Sequence, residues 1–192
     1  DGVDEIRFVA STDPLDLTKL ETLANFETLR STADITSIES ADLAQFGTII
    51  TGGRFDTLDL EGGGGADFSG ITLQGVELIQ GDATMADTII GTANSDRIAG
   101  RGGADDLFGG DGDDTFRLNN DDYVPGEMID GGAGSDTLKI VDTSNPVTLD
   151  LTTGAPGDLS DIEILEIDSD QAHAITLGGI DDSDGNPVAA FT

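Results

Sequence analysis

Residues 91–117 read GTANSDRIA, GRGGADDLF, GGDGDDTFR, and residues 131–139 read GGAGSDTLK. Asp87, Asp96, Asp105 and Asp114 fall nine residues apart, and Asp136 follows after one interruption. Each ends a Gly-rich turn and stands two residues before an apolar residue: Ile89, Ile98, Leu107, Phe116 and Leu138. The third and fourth units fit G-G-x-G-x-D-x-U-x, with U apolar, at every specified position. The first two lose glycines but keep the Asp and the apolar residue, and residues 82–90 (DATMADTII) keep only those two features, as an opening unit. A fixed period that alternates a carboxylate turn with a short apolar strand predicts stacked coils, each burying its apolar face against its neighbours.

Two nonapeptides make one coil, with six residues turning and three in a strand in each. Turns then alternate sides. Asp96, Asp114 and Asp136 are expected on one edge, and Asp87 and Asp105, followed by the 119–126 turn, on the other. Residues 119–126 (NNDDYVPG) read as an expanded turn between strands at 115–118 and 127–129. Asp114 to Asp136 is 22 residues, two units of nine plus four, so the interruption lengthens a turn and preserves the coil phase.

A second repeat covers the flanks. Leu15-Asp16-Leu17 leads to Leu23-x-x-Phe26-Glu27-x-Leu29, Leu58-Asp59-Leu60 to Leu73-x-x-Val76-Glu77-x-Ile79, and Leu149-Asp150-Leu151 to Leu159-x-x-Ile162-Glu163-x-Leu165. Each is followed by a further apolar stretch, at 35–38, 88–90 and 174–177. For residues 14–30 a helix capped by Asp13 with Pro14 in its first turn is the alternative. The pattern lacks helical periodicity, and strands are favoured. Gly62–Gly65 suggests a partial turn ending at Asp67, with Ser69 where an apolar residue is expected. The expected organisation is one continuous elongated domain: N-terminal coils over 1–81, the nonapeptide roll over 82–140 and C-terminal coils over 141–192.

Acidic residues number 39 against 8 Lys and Arg, for a formal net charge of −31. Such self-repulsion opposes compaction unless something neutralises it. The eight basic residues are scattered, which argues against a nucleic-acid partner, since phosphate binding needs clustered Lys and Arg. Without cysteine there is neither a disulfide nor a thiolate metal site. No run approaches a membrane span, and the first ten residues are not a signal peptide. The chain is expected to be a piece of a longer protein.

The turns explain which ion the acids would take. Stacked strands lie about 4.8 Å apart, so like carboxylates are brought close at a repulsive cost. A divalent cation between successive turns reverses that sign. Calcium accepts about six to eight oxygens, which paired carboxylates and turn carbonyls can supply, while the glycines leave those carbonyls uncovered. Magnesium demands tighter octahedral geometry and keeps its waters. Transition metals prefer imidazole or thiolate, and the chain has one histidine and no cysteine. The candidate metal residues are Asp87, Gly91, Asn94, Asp96, Gly100, Gly102, Asp105, Gly109, Asp111, Gly112, Asp114, Gly131, Ala133, Gly134 and Asp136, with several calcium ions expected. Four phased repeats, each with an apolar residue two after the Asp, argue against a flexible acidic linker. Residues 181–186 (DDSDGN) lack the spacing and terminal Glu of an EF-hand and read as a surface turn.

Residues 91–139 resemble the RTX (repeats-in-toxin) family, whose nonapeptide is among the standard repeat signatures. That resemblance implies an all-β, right-handed parallel β-roll or β-solenoid with calcium in stacked Gly/Asp-rich turns. It also implies export from a Gram-negative bacterium through type I secretion machinery, and an extracellular or cell-surface location. The C-terminal NPVAAFT carries no recognisable secretion signal of that family, so the signal is expected beyond this segment. The flanking FETLR, GVELI and IEILEI phrases resemble β-solenoid coils of large RTX adhesins and S-layer proteins.

No catalytic constellation stands out. His173, in QAHAITL, reads as a strand position; there is no HExxH zinc motif, and the glycine run at 62–65 lacks the Lys-Ser/Thr of a phosphate loop. The expectation is a non-enzymatic calcium-binding module of an adhesin or surface-layer protein that folds on calcium after export. The alternative is the C-terminal appendage of a type I-secreted protease, lipase or polysaccharide-modifying enzyme. Self-association through open solenoid ends or a cell-surface ligand is a further expectation.

Overall fold

A computed structural model describes residues 4–8, 15–16, 26–31, 35–43, 45–52, 56–119, 122–124, 126–141, 148–150, 159–168 and 174–176. Every strand pairing among them is parallel. The fold is therefore an all-β parallel solenoid, and the one described helix is the single turn Ser40–Leu43. An eight-stranded sheet forms one continuous face from Leu15–Asp16 through Ile35–Glu39, Asp56–Glu61, Val76–Gln80, Arg97–Ala99, Thr115–Leu118 and Thr137–Ile140 to Ile164–Ile167. The opposite face is shared by two sheets that hand over within one coil. Thr72–Gln74 ends the sheet begun by Glu5–Phe8, and Gly64–Asp67 starts the one that continues through Asp87–Ile90, Asp106–Asp111 and Met128–Ala133.

Register follows the nonapeptide arithmetic. Ile89 pairs with Leu107 and Ile98 with Phe116, both eighteen residues apart. Leu107 then pairs with Ile129 and Phe116 with Leu138, both twenty-two apart, so the expanded turn is absorbed without a slip of phase. A slip of one residue would turn each apolar side chain outward, which is why the interruption must conserve parity. Side chains alternate along each strand, and the inward members form two facing ladders. Ala66, Ile89, Leu107 and Ile129 make one, and Leu58, Ile79, Ile98, Phe116 and Leu138 the other, all fully or almost fully buried. At about 25 cal/mol per Å² of apolar surface, this continuous core is the main favourable term opposing charge repulsion.

Two local expectations are corrected. The turn 62–65 does not end in a metal-type Asp67. Gly64 pairs with Asp87 and Asp67 with Ile90, so Ala66 faces inward and Asp67 outward. Phe68 follows fully buried, and that packing demand, invisible in the glycine run, sets the register. Nor does each nonapeptide hold only a three-residue strand. Asp106–Asp111 and Met128–Ala133 have six residues, because Gly110–Gly132 and Asp111–Ala133 pair into the turn itself.

The flanks divide. Thr28–Ser31 is a strand, as is Leu15–Asp16; the remainder of the alternative helix, at 14 and 17–25, lies outside the described residues. Thr148–Asp150 pairs with Ala174–Thr176 in a separate two-stranded sheet. Asp13, Pro14, Leu17, Leu23, Leu151, His173 and residues 181–186 lie outside the described residues. Among the described residues no helix is long and apolar enough to cross a membrane.

Candidate metal centre: two columns of acidic turns

The acids two residues before each inward side chain stack into columns along the solenoid edges. On one edge Asp96, Asp114 and Asp136 follow one another, and on the other Asp87 and Asp105. The columns are built by one repeated hydrogen bond, in which each Asp main-chain N–H donates to the carboxylate of the next coil. Asp96 N reaches Asp114 Oδ1 at 2.7 Å, Asp114 N reaches Asp136 Oδ1 at 2.8 Å, and Asp87 N reaches Asp105 Oδ1 at 2.9 Å. The flanking repeat uses the same link with Glu in place of Asp. Asp136 N donates to Glu163 Oε2 at 2.7 Å, and Asp4 N to Glu27 Oε2 at 2.7 Å. The two sequence repeats are thus one structural unit, an acid two residues before an inward apolar residue.

One carboxylate oxygen of Asp105, Asp114 and Asp136 closes this link, and one of Asp87 accepts from Asp82 N in its own turn; the second oxygen of each is left over. Asp105 Oδ2, Asp114 Oδ2, Asp136 Oδ2 and Asp87 Oδ1 are buried without a hydrogen-bond partner. Buried polar atoms are almost always satisfied, so a row of such oxygens is a donor set suited to a cation. Asp96 differs. Thr92, which replaces the second glycine of its unit, donates to Asp96 Oδ2 from its N–H at 2.6 Å and its hydroxyl at 2.9 Å.

The glycine at the head of each unit makes the room. A Cβ on Gly109 would stand 2.5 Å from Gly131 O and collide with Asp114 Oδ2. On Gly131 it would lie 2.7 Å from Asp136 Oδ2 and collide with Asp161 O, and on Gly91 it would lie 2.9 Å from Asp96 Oδ2 and collide with Gly109 O. Gly100 stands in the same way over Asp105 Oδ2. Each head position is therefore a cradle beside a carboxylate that any side chain would fill, with a carbonyl oxygen of the next coil alongside at Gly91, Gly109 and Gly131. Gly112 packs over Asn94, Gly134 over Gly112 and Gly102 over Ala83, so the remaining turn positions also stack coil on coil. Gly110 and Gly132 take φ of 106° and 87°, a left-handed backbone that favours glycine.

Electrostatics agree with the geometry. Burial pushes the Asp87 and Asp114 carboxyls up to about 6, with the charges of neighbouring carboxylates adding to the shift. Asp96, Asp105 and Asp136 are raised as well, each chiefly by burial. Such groups resist ionisation until a cation compensates them. Among the described residues no three His, Cys, Asp or Glu side chains converge as a ready metal cage, so the donor set must combine carboxylates with main-chain carbonyls. That hard, all-oxygen mixture suits calcium.

The structure brings the candidate residues together in two groups. Gly91, Asn94, Asp96, Gly109, Asp111, Gly112, Asp114, Gly131, Ala133, Gly134 and Asp136 share one edge, and Asp87, Gly100, Gly102 and Asp105 the other. Asp111 is exposed and pairs with Ala133 through the backbone. Sequence reasoning passed over Thr92, Gly81, Asp82, Glu127 and Glu163. Gly81 stands over Asp87 Oδ2 as the head glycines do elsewhere, and Asp82 N donates to that oxygen at 2.7 Å. The signal for Glu127 and Glu163 was visible, since each stands two residues before an apolar inward residue.

A family model, the RTX calcium-binding nonapeptide repeat, matches the chain in four copies over residues 84–116 and 127–139. No curated protein and no solved structure matches the chain. With their phased carboxylates, glycine cradles and parallel coils, residues 84–116 and 127–139 are RTX calcium-binding repeats wound as a β-roll.

Proposed function

We propose that the chain is a calcium-operated folding module of a secreted or cell-surface Gram-negative protein, of the adhesin or surface-layer type. One observation carries the reading. Asp87, Asp105, Asp114, Glu127 and Asp136 are buried acids in the turn columns, and all of them have oxygens with no partner in the protein. A chain of net charge −31 that buries carboxylates this way gains stability when cations occupy the columns. Asp87 and Asp105 would hold calcium on one edge, and Asp114 and Asp136, beside Asp96, on the other, with turn carbonyls completing the shell. The bound ion supplies charge neutralisation and a clamp between coils; the module does no chemistry of its own.

The physical consequence is a switch. Extracellular calcium modules bind at about 10⁻⁴–10⁻³ M. At millimolar calcium each site then adds on the order of 1 kcal/mol, and several act together. At cytosolic calcium the term vanishes and repulsion dominates, which suits export of an unfolded chain by type I secretion machinery. Far-ultraviolet circular dichroism during a calcium titration tests the reading. A gain of β signal at millimolar calcium, reversed by chelator, is expected. A chain fully folded in chelator and indifferent to calcium would sink it.

A further inference from the structure

The turn that interrupts the nonapeptides carries the most unusual side chain described. Glu127 is 1% exposed, and neither Oε1 nor Oε2 has a hydrogen-bond partner. It occupies the acid position of its coil, two residues before Ile129, which pairs with Leu107. The residue below it in the column is Asp105, whose Oδ2 is also buried and unpartnered. The backbone fixes this superposition. Met128 N donates to Asp105 O at 2.8 Å, Glu127 N closes a tight turn onto Val124 O at 3.1 Å, and Gly126 lies over Ala104. Three orphaned carboxylate oxygens, from two stacked acids, therefore share one buried neighbourhood.

The local sequence departs from the repeat in the matching way. Five residues before Asp96, Asp105, Asp114 and Asp136 stands glycine; five before Glu127 stands Asp122. Asp122 is half-buried and its charge acts on both Asp105 and Glu127. Its Oδ2 accepts from Asn119 N at 2.8 Å, which anchors the lengthened turn. As with Asp82 before Asp87, a carboxylate here stands five residues before the column acid, and the longer Glu side chain takes the acid position.

We propose that Glu127 and Asp105 bind one calcium ion between their coils, beyond those of the nonapeptide turns, with main-chain carbonyls completing its shell. The expanded turn then continues the second column where a simple spacer would end it. Without an ion, two buried carboxylates stacked on one edge have nothing to offset their desolvation. The proposal rests on the calcium-binding reading above.

The chain contains a single tyrosine and no tryptophan, and that tyrosine is Tyr123, within this turn and packed against the core. Terbium replaces calcium at oxygen sites, and its tyrosine-sensitised emission falls steeply with distance. The emission of the full chain therefore reports on ions near residue 123. The experiment titrates the chain, E127Q and Y123F with terbium, and counts bound calcium by equilibrium dialysis. Sensitised emission in the parent, its loss in E127Q and a calcium count lower by one in E127Q alone support the site. Y123F should lose the emission and keep the count. An unchanged count and emission in E127Q would overturn the site and leave Glu127 a buried neutral acid, while the nonapeptide reading stands. If the parent binds no calcium at all, the underlying reading fails, and this one with it. Should E127Q not fold in calcium, E127D replaces it, which keeps the charge and shortens its reach by one methylene. An unchanged terbium midpoint there would overturn the proposal, and a raised one would support it.

Discussion

The Asp96 N–H donates to Asp114 Oδ1 at 2.7 Å, across one coil of eighteen residues, while Asp114 Oδ2 stays buried and unpartnered. One carboxylate thus serves two purposes, a main-chain link between coils and a cation ligand. The two can be separated by substitution. Asp114→Asn keeps an oxygen for Asp96 N but removes the charge, so calcium-induced stabilisation should fall while metal-free stability holds or rises. Asp114→Ala should lose both, and the orphaned N–H costs a further 1–3 kcal/mol or so. Thermal melts in chelator and in millimolar calcium distinguish them; identical behaviour of the two variants would contradict the division of labour.

The head glycines predict a different failure. Gly109→Ala places a methyl group against Asp114 Oδ2 and Gly131 O, where the ion and its carbonyl would lie. Calcium response should be largely lost at that edge. Gly65→Ala, at a position with nothing within 4 Å of the added Cβ, should leave the calcium response unchanged. Calorimetric titration of the pair reads the difference, and equal binding would refute the cradle.

Acid should act oppositely on the metal-free and calcium-bound chains. Burial raises the Asp87 and Asp114 carboxyls to about 6, against about 4 in an unfolded chain. Between those values the folded state holds protons that the unfolded state has released, so metal-free stability falls as pH rises through that window. Calcium competes with those protons, so its apparent affinity should climb over the same range. Urea midpoints in chelator, set beside calcium titrations at pH 5 and 7.5, test both signs. A metal-free chain more stable at neutral than at mildly acid pH would count against the buried columns.

Phe116 is the largest side chain of the inward ladder in the roll, fully buried between Ile98 and Leu138. Phe116→Ala should cost about 3–5 kcal/mol in calcium, and the ions should bind more weakly because they bind only the folded coils. Arg97→Ala, an exposed residue of the neighbouring coil, should cost far less. Denaturant unfolding in saturating calcium gives both values.

The nonapeptide period was legible without coordinates because it carries its own phase. Nine residues from acid to acid put Asp96, Asp114 and Asp136 on one edge, and an insertion of four between Asp114 and Asp136 kept Leu138 inward. The same arithmetic could not assign Asp67, since a glycine run accepts either register and only the burial of Phe68 chooses between them. Nor could it unite the two repeats, since the Asp and Glu versions differ in sequence context and meet only through the bond from Asp136 N to Glu163.

The sequence by itself determined the solenoid, its coil length and the hard-cation chemistry of its turns, because each follows from local spacing and residue type. Tertiary structure alone decided which oxygens remain for an ion. Asp96 has its second oxygen occupied by Thr92, whereas Asp105, Asp114 and Asp136 do not, and Glu127 takes the place of an aspartate above Asp105. Those outcomes depend on contacts between residues four to twenty-seven apart, set by stacking across coils and by the head glycine of each turn. A one-dimensional period fixes where an acid stands; the packed neighbours fix whether its charge is already compensated.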